Sequence, residues 1–480
     1  MERAPLFEKI LNYSQKYMAR FHIPGHRQGA GLPPELQNLA PELVKMDLTE
    51  VPGLDDLHSP EGVIAEAQSL AACLYGADNT YFLVNGTSCG LQALVLSVAG
   101  EGDRILVPRN AHSSVLGGLI FSGAVPEYLQ PKIIPYFEIA SGIPAGDVAH
   151  RISTKNKYKA VLAIHPTYYG TVGDLTGLVQ ASHQVDMPVI VDEAHGTHLY
   201  FQAQTPCGAL KCGADGVVQS VHKTGGSFTQ SSWLHLKGDR INKKRLKDSL
   251  RLVQTTSPSY LLMASLDAAR LQLTVHGKQI MQRTLELAVE ARESISQIKG
   301  LVLLGEEHTG TGFAGIDPTR LVISVKGLGL TGYKVKQILS SRYGVEVEMA
   351  DINNVVAIIS LGTTPNDVHL LVKALHNLYD RERHNAGKGQ VSMVLPPVPP
   401  LKLSPRQAWM TGSRSVKINE ASGQISGEMV CVYPPGIPVL YPGEEITAEV
   451  MDYLQAVRKM KLHCQGPQDP ELNYIRVLDY

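Results

Sequence analysis

Between residues 62 and 235, short and nearly all-apolar runs alternate with longer helical ones, and this alternation limits the possible folds more than any other feature of the chain. TYFLV (80–84), RILVP (104–108), AVLAI (160–164), PVIVD (188–192) and DGVVQS (215–220) have the length of strands and almost no polar face. Such runs suit strands covered on both sides. Helical segments such as CGLQALVLSVAG (89–100) lie between them. Strand alternating with helix predicts an α/β fold built on a large, mostly parallel sheet, with functional residues in the loops that leave the carboxyl ends of the strands.

A chain of 480 residues is too long for one ordinary hydrophobic core. After a helical stretch at 258–298, LVISV (321–325), GVEVEMAD (344–351) and VVAIISL (355–361) read as a smaller α/β unit, closed by the helical NDVHLLVKALHNLYD (366–380). RERHNAGKGQ (381–390) reads as a linker. The rest is Pro-rich and loop-like, with Val, Leu and Tyr interleaved so that it is expected to rest on the main body. The expected division is an N-terminal arm (1–45), a large domain (46–300), a small α/β domain (301–380), and a linker with a C-terminal segment (381–480).

Composition narrows the partners. A net charge of −1 provides no global attraction for nucleic acid or an anionic membrane. No run of about 18 apolar residues is present, and the first residues lack the apolar core of a signal peptide, so a cytoplasmic protein is expected. The six cysteines, at 73, 89, 207, 212, 431 and 464, form no C-x-x-C pair, so reduced thiols and no metal site are expected.

Four polar clusters stand at strand ends. In VNGTSCG (84–90), Gly86 permits a tight turn, and Thr87 and Ser88 bring hydroxyls and backbone N–H groups to a helix start. That suits a phosphate, and equally an ordinary helix cap. The absence of a following Lys argues against a nucleotide triphosphate loop. In RNAHSS (109–114), His112 can lay a flat ring on a planar group or cap a helix. In VIVDEAHG (190–197), Asp192 ends an apolar strand, where a carboxylate is costly unless a cation or several donors meet it. In QSVHKTGGSFTQSS (219–232), Ser220, His222 and Lys223 follow another buried strand. Desolvation there would favour the neutral amine of Lys223, the form that condenses with an aldehyde, whereas Lys223 taken alone reads as a lysine reaching out to solvent or to a neighbouring Asp. A phosphate seat, a ring face, a strand-end carboxylate and a strand-end amine are together what pyridoxal 5′-phosphate requires.

With these residues in view, the chain resembles the Orn/Lys/Arg decarboxylases of the aspartate-aminotransferase fold, pyridoxal-phosphate fold type I. VVQSVHKTGGSFTQSS is similar to that family's cofactor-attachment signature along its whole length. Similar stretches are FHIPGHRQG (21–29), DLTEVPGLDDLHSPEG (47–62), NGTS, RNAHSS, HPTYYGTVGDL (165–175), VDEAHG, TTSPSY (255–260) and YPPGIPVLYPGE (433–444). The resemblance implies that Lys223 carries the cofactor, Asp192 faces its ring nitrogen and His112 stacks on the ring. Thr87, Ser88 and Ser220 would hold the phosphate, with Thr256 or Ser257 reaching in from a second subunit, while Gly86, Ala194 and His222 border the cofactor. A homodimer or dimer-based oligomer is implied. So is decarboxylation of a basic L-amino acid, arginine before lysine or ornithine, to agmatine, cadaverine or putrescine. By the same resemblance Glu444, or Asp55 or Asp56 from the partner subunit, would meet the substrate's terminal cation. Lys223 and His222 both remain open as the proton donor. A pyridoxal-phosphate aminotransferase is the nearest alternative, which Arg406, Arg414, Arg458 and Arg476 near the C-terminus do not separate. A silent, cofactor-free regulatory homologue is the alternative of another class.

Overall fold

The elements fall where apolar runs and capping residues direct them. In chain order, α1 (Val63–Tyr75) leads to β1 (Asn79–Leu83) and α2 (Gly86–Val98). Next come β2 (Arg104–Pro108), α3 (Ser113–Ser122), β3 (Val125–Leu129), β4 (Tyr158–Ile164) and α4 (Leu175–His183). Then follow β5 (Val189–Asp192), β6 (Gly216–Gln219), the single turn α5 (Val221–Thr224), β7 (Ser232–Leu236), α6 (Lys243–Val253) and the long α7 (Tyr260–Ser296). Every residue of β5, β6 and β7 is buried, as continuous apolar runs require. Helix α1 stops at Gly76, whose φ of 70° is the left-handed cap that glycine adopts without strain.

This computed structural model describes residues 1–16, 22–24, 26–33, 36, 40–154, 157–382, 395–432, 436–460, 462 and 464–480. Residues 383–390 of the expected linker, Phe21 and Gly25 of FHIPGHRQG, and 433–435 of YPPGIPVLYPGE lie outside the described residues.

Two units are distinguished, one comprising Met1–Val98 and Pro188–Met281, the other Ala99–Met187 and Gln282–Tyr480. In the first, the strands stand in the order β1-β7-β6-β5. β5 and β6 are parallel, while β7 is antiparallel to both its neighbours. The strand–helix alternation therefore fails at one place. After β6 the chain makes only the one-turn α5 and a glycine-containing loop, too little for a crossover, so β7 returns alongside its predecessor. In the second unit β2 lies between β3 and β4, all parallel. β3 and β7 were not among the strands read from the sequence.

The second unit also contains an antiparallel sheet in the order β8 (Val302–Leu303), β9 (Arg320–Ser324), β11 (Asn354–Ile358), β10 (Met349–Ala350). Leu321, Ile323, Val355, Leu371 and Leu375 fill its core. The Pro-rich C-terminal segment, expected to be loop-like, has a hydrophobic cluster of its own around Ile418, Val430, Val432, Leu440, Leu454 and Ile475. Two of its strands are short, three residues at Val430–Val432 and four at Ile437–Leu440, with neighbouring prolines that hide them from pattern reading, while Ser413–Lys417 and Tyr474–Leu478 pair as five-residue strands. Among the described residues no helix is long and apolar enough to cross a membrane.

Candidate active site

The first unit brings most of the expected chemistry to the carboxyl ends of β1, β5 and β6. Ser220 caps α5, and Lys223 lies on that turn. Its Nζ is 3.0 Å from Nε2 of His195, in the loop after β5. The lysine was expected to be desolvated by burial. Its strand is buried but the side chain itself is exposed in this chain, because the single turn of α5 lifts it off the sheet.

Asp192 is 7% exposed, and its Oδ1 accepts the N–H of Ala194 at 3.1 Å. Among the described residues no cation pairs with it. A carboxylate at the end of an apolar strand, with one neutral donor and no counter-charge among the described residues, leaves room for a cation to be bound there.

The hydroxyls read as a phosphate seat include Thr87 and Ser220, which the structure gathers with Ser232 into one buried cluster. Thr87 Oγ1 lies 2.5 Å from Ser220 Oγ and 3.0 Å from Ser232 Oγ. Gly86, at φ 76°, makes the turn that starts α2, and Ser88 follows Thr87 on that first turn. Gln230 braces the loop by donating from Nε2 to the Val84 carbonyl at 2.7 Å. Thr256 and Ser257 are exposed, and their segment is tied to the same loop through Thr255 N–H and Asn85 Oδ1 at 3.1 Å.

The histidines differ in role. His222 is half-buried with Nδ1 2.9 Å from the Ser231 carbonyl, so that nitrogen carries the hydrogen. Burial lowers its pKa, against the raising effect of that carbonyl, and the ring is neutral at neutral pH. His112, in the second unit, caps α3: the N–H of Ser114 donates to its Nδ1 at 3.2 Å, and the ring is exposed.

The acids expected at the substrate's far end are differently committed. Glu444 is wholly buried, bonded through both oxygens to Arg109 (Oε2 to Nη2, 2.7 Å) and to the N–H of Tyr441 at 2.7 Å. Arg109 in turn donates from Nε to the Pro438 carbonyl and lies over the rings of Tyr128 and Tyr441. The carboxylate read as a substrate ligand is thus fully occupied by an internal cation, because the fold buries Arg109 beside it. Asp55 accepts backbone N–H groups from Asp56, Glu61, Gly62, Ile64 and Ala65 at the start of α1. Burial would raise its pKa, but those donors outweigh burial and hold it low. Among the described residues Asp56 is engaged through Oδ1, which accepts the N–H of His58 at 2.8 Å.

Three residues here escaped the sequence reading. His195 stands three positions after Asp192, and its place in the loop leaving that strand was the available signal. Ser232 closes the quoted signature, but nothing local places its hydroxyl against Thr87. Glu193 is wholly buried, accepting from Ala209 N–H (2.6 Å), Tyr200 O–H (2.8 Å) and Gln219 Nε2 (2.7 Å). Burial pushes its carboxyl up to about 8 in spite of those donors.

The residues present suit pyridoxal 5′-phosphate: an amine, a buried carboxylate without a counter-ion, and a cluster of hydroxyls at a helix start. The family description "Orn/Lys/Arg decarboxylase, major domain" matches residues 4–367, and its C-terminal domain matches 390–469. Arginine decarboxylases of Bacillus anthracis and Bacillus subtilis (strain 168) are each 41% identical over 477 residues, covering 99% of this chain and 97% of theirs. The crystal structure of the Francisella novicida lysine decarboxylase LdcF superposes with a TM-score of 0.86 at 22% identity, covering 100% of this chain and 81% of that one.

Proposed function

The chain belongs to the Orn/Lys/Arg decarboxylase family and is a carboxy-lyase of basic amino acids, and from that premise we propose that L-arginine is its substrate, agmatine and CO2 its products, and pyridoxal 5′-phosphate on Lys223 its cofactor. The observation that carries the reading is the meeting of Lys223 with His195, beside strand-end Asp192 and the Thr87–Ser220–Ser232 hydroxyls, on loops of one unit. Arginine is favoured over lysine because the relatives at 41% identity are arginine decarboxylases.

The cofactor supplies an aldehyde that captures amines and a ring that accepts the electron pair left as the carboxylate departs. Lys223 would hold it through its side-chain amine. Asp192 holds a proton on the ring nitrogen, its buried charge compensated by that cation. Thr87, Ser88, Ser220 and Ser232 seat the phosphate, with Thr256 or Ser257 of a second subunit adding to it in a homodimer. His112 offers an exposed ring face for stacking. His195 orients the Lys223 amine through the 3.0 Å contact. His222 is neutral and its Nδ1–H is engaged, which favours Lys223 as the group that returns a proton to Cα. Glu444 and Asp55 are spent internally, so Asp56 is the acid proposed for the substrate's guanidinium.

The test incubates purified holoenzyme separately with arginine, lysine and ornithine and identifies the products. Agmatine with equimolar CO2, at a kcat/KM at least about tenfold above the other two substrates, is expected. A keto acid in place of the amine, or a preference for lysine, would overturn the assignment.

A further inference from the structure

A cleft of about 400 Å³ lies among α1, the outermost strand β1 and α6, all within the first unit. Its lining includes none of Thr87, Ser88, Asp192, Ser220 or Lys223. Helix α6 presents Lys243, Lys247 and Arg251 to it, four residues apart and so on one helical face. At 1.5 Å rise per residue they span roughly 12 Å. Arg251 is braced by the His58 carbonyl, while Lys243 and Lys247 have no partner among the described residues. The one acid in the lining, Asp78, accepts the N–H of Gly238.

Deeper in the cleft the chemistry changes. Gln68 is 7% exposed, and among the described residues its amide makes no hydrogen bond. The Tyr81 hydroxyl is buried without a partner as well. Burial lifts that phenol to about 12, so it stays a donor. A buried hydroxyl left unpaired costs free energy that a ligand could recover, and the Gln68 amide adds a donor and an acceptor at the cleft wall. Leu57, Phe82 and Leu250 supply apolar wall. A basic amino acid or its amine product is repelled by such a rim, so this is not a second substrate site. A bare inorganic anion would satisfy the rim and leave both polar groups and the wall uncovered.

We propose that this cleft binds a nucleotide, with phosphate on the Lys243–Lys247–Arg251 face of α6 and the base against Gln68, Tyr81 and the apolar wall. The volume lies in the range of small-ligand sites. A basic face for charge together with an unpaired amide for a base edge is the combination a flat phosphate ester needs.

Cys73 is an exposed thiol in the lining, and Cys207 is an exposed thiol outside it. Holoenzyme is treated with N-ethylmaleimide, and labelling of both cysteines is followed by peptide mass spectrometry while AMP, GMP, adenosine or inorganic phosphate is titrated. AMP or GMP is expected to slow Cys73 labelling at least about fivefold without slowing Cys207. Adenosine and phosphate should each need roughly tenfold more ligand for the same protection. The Lys243→Ala/Lys247→Ala variant, altering two exposed side chains, should raise the half-protecting concentration about tenfold. Gln68→Leu should weaken protection by AMP or GMP and leave the response to phosphate alone unchanged. The proposal fails if neither nucleotide protects at about 5 mM, well above a Kd of about 1 mM. It fails equally if phosphate protects as well as the nucleotides do, which would mean a basic patch only. Unreactive Cys73 in untreated holoenzyme would also overturn it, since the cleft would then be covered between subunits.

Discussion

Replacing Glu444 with Gln separates two roles for that residue. As a ligand for the substrate's cation, its loss would raise KM and leave stability alone. The structure instead has Glu444 0% and Arg109 1% exposed, bonded to each other through both oxygens and two guanidinium nitrogens. Breaking a buried pair from one side costs about 3–5 kcal/mol, since the remaining charge is left uncompensated. Arg109 keeps part of its stabilisation, because it lies 4.9 and 5.0 Å from the ring centres of Tyr128 and Tyr441 and still donates to Pro438. Such ring contacts are worth about 0.5–2 kcal/mol, which places the cost near the lower end, at about 3 kcal/mol. At roughly 2–4 °C per kcal/mol for a domain of this class, melting of the unit should fall by about 6–12 °C. Differential scanning calorimetry of the holoenzyme, with KM for arginine measured well below the transition, reads both quantities. Arg109→Met combined with Glu444→Leu should recover most of the loss, since no charge is then buried. A Gln variant that melts with the parent protein while its KM rises about tenfold would refute this reasoning.

Three further outcomes are expected. Asp192→Asn should lower kcat by about 100-fold or more, roughly 3 kcal/mol of transition-state stabilisation, while the cofactor absorbance band persists; near-normal turnover would contradict the ring-nitrogen role. Ser232→Ala removes one hydroxyl from the cup, so cofactor retention should weaken about five- to tenfold, from about 1 kcal/mol, with kcat unchanged at saturating cofactor; unchanged retention on dialysis would exclude Ser232 from the seat. Glu193, raised in the folded chain to about 8 from 4.5, contributes stability that is complete below about pH 4.5 and is lost as pH rises through about 8, by at most about 1.4 kcal/mol per pH unit. Melting of Glu193→Gln should therefore lose that downward slope, and a slope identical to that of the parent protein would count against a neutral Glu193.

Much of the fold could be read from pattern because its strands are buried on both faces. RILVP falls on β2 residue for residue, and DGVVQS brackets β6. β3 escaped because VPEYL carries a Pro and a Glu, and β7 because SWLHL follows a glycine-containing loop rather than a helix, its direction depending on how little chain separates it from β6. Val430–Val432 and Ile437–Leu440 escaped for a related reason: three or four residues beside prolines carry no measurable period.

For the site, the chain order of residues was enough to identify the candidates Lys223, Asp192, Thr87, Ser88 and Ser220, because strand ends and helix starts are local features with local chemistry. Partnership was not legible. That His195 stands against Lys223, that Ser232 completes the hydroxyl cluster and that Glu444 is spent on Arg109 are contacts between residues 28, 145 and 335 positions apart. Which side chain meets which depends on strand order and register, and these follow from the packing of the whole chain rather than from any stretch of it.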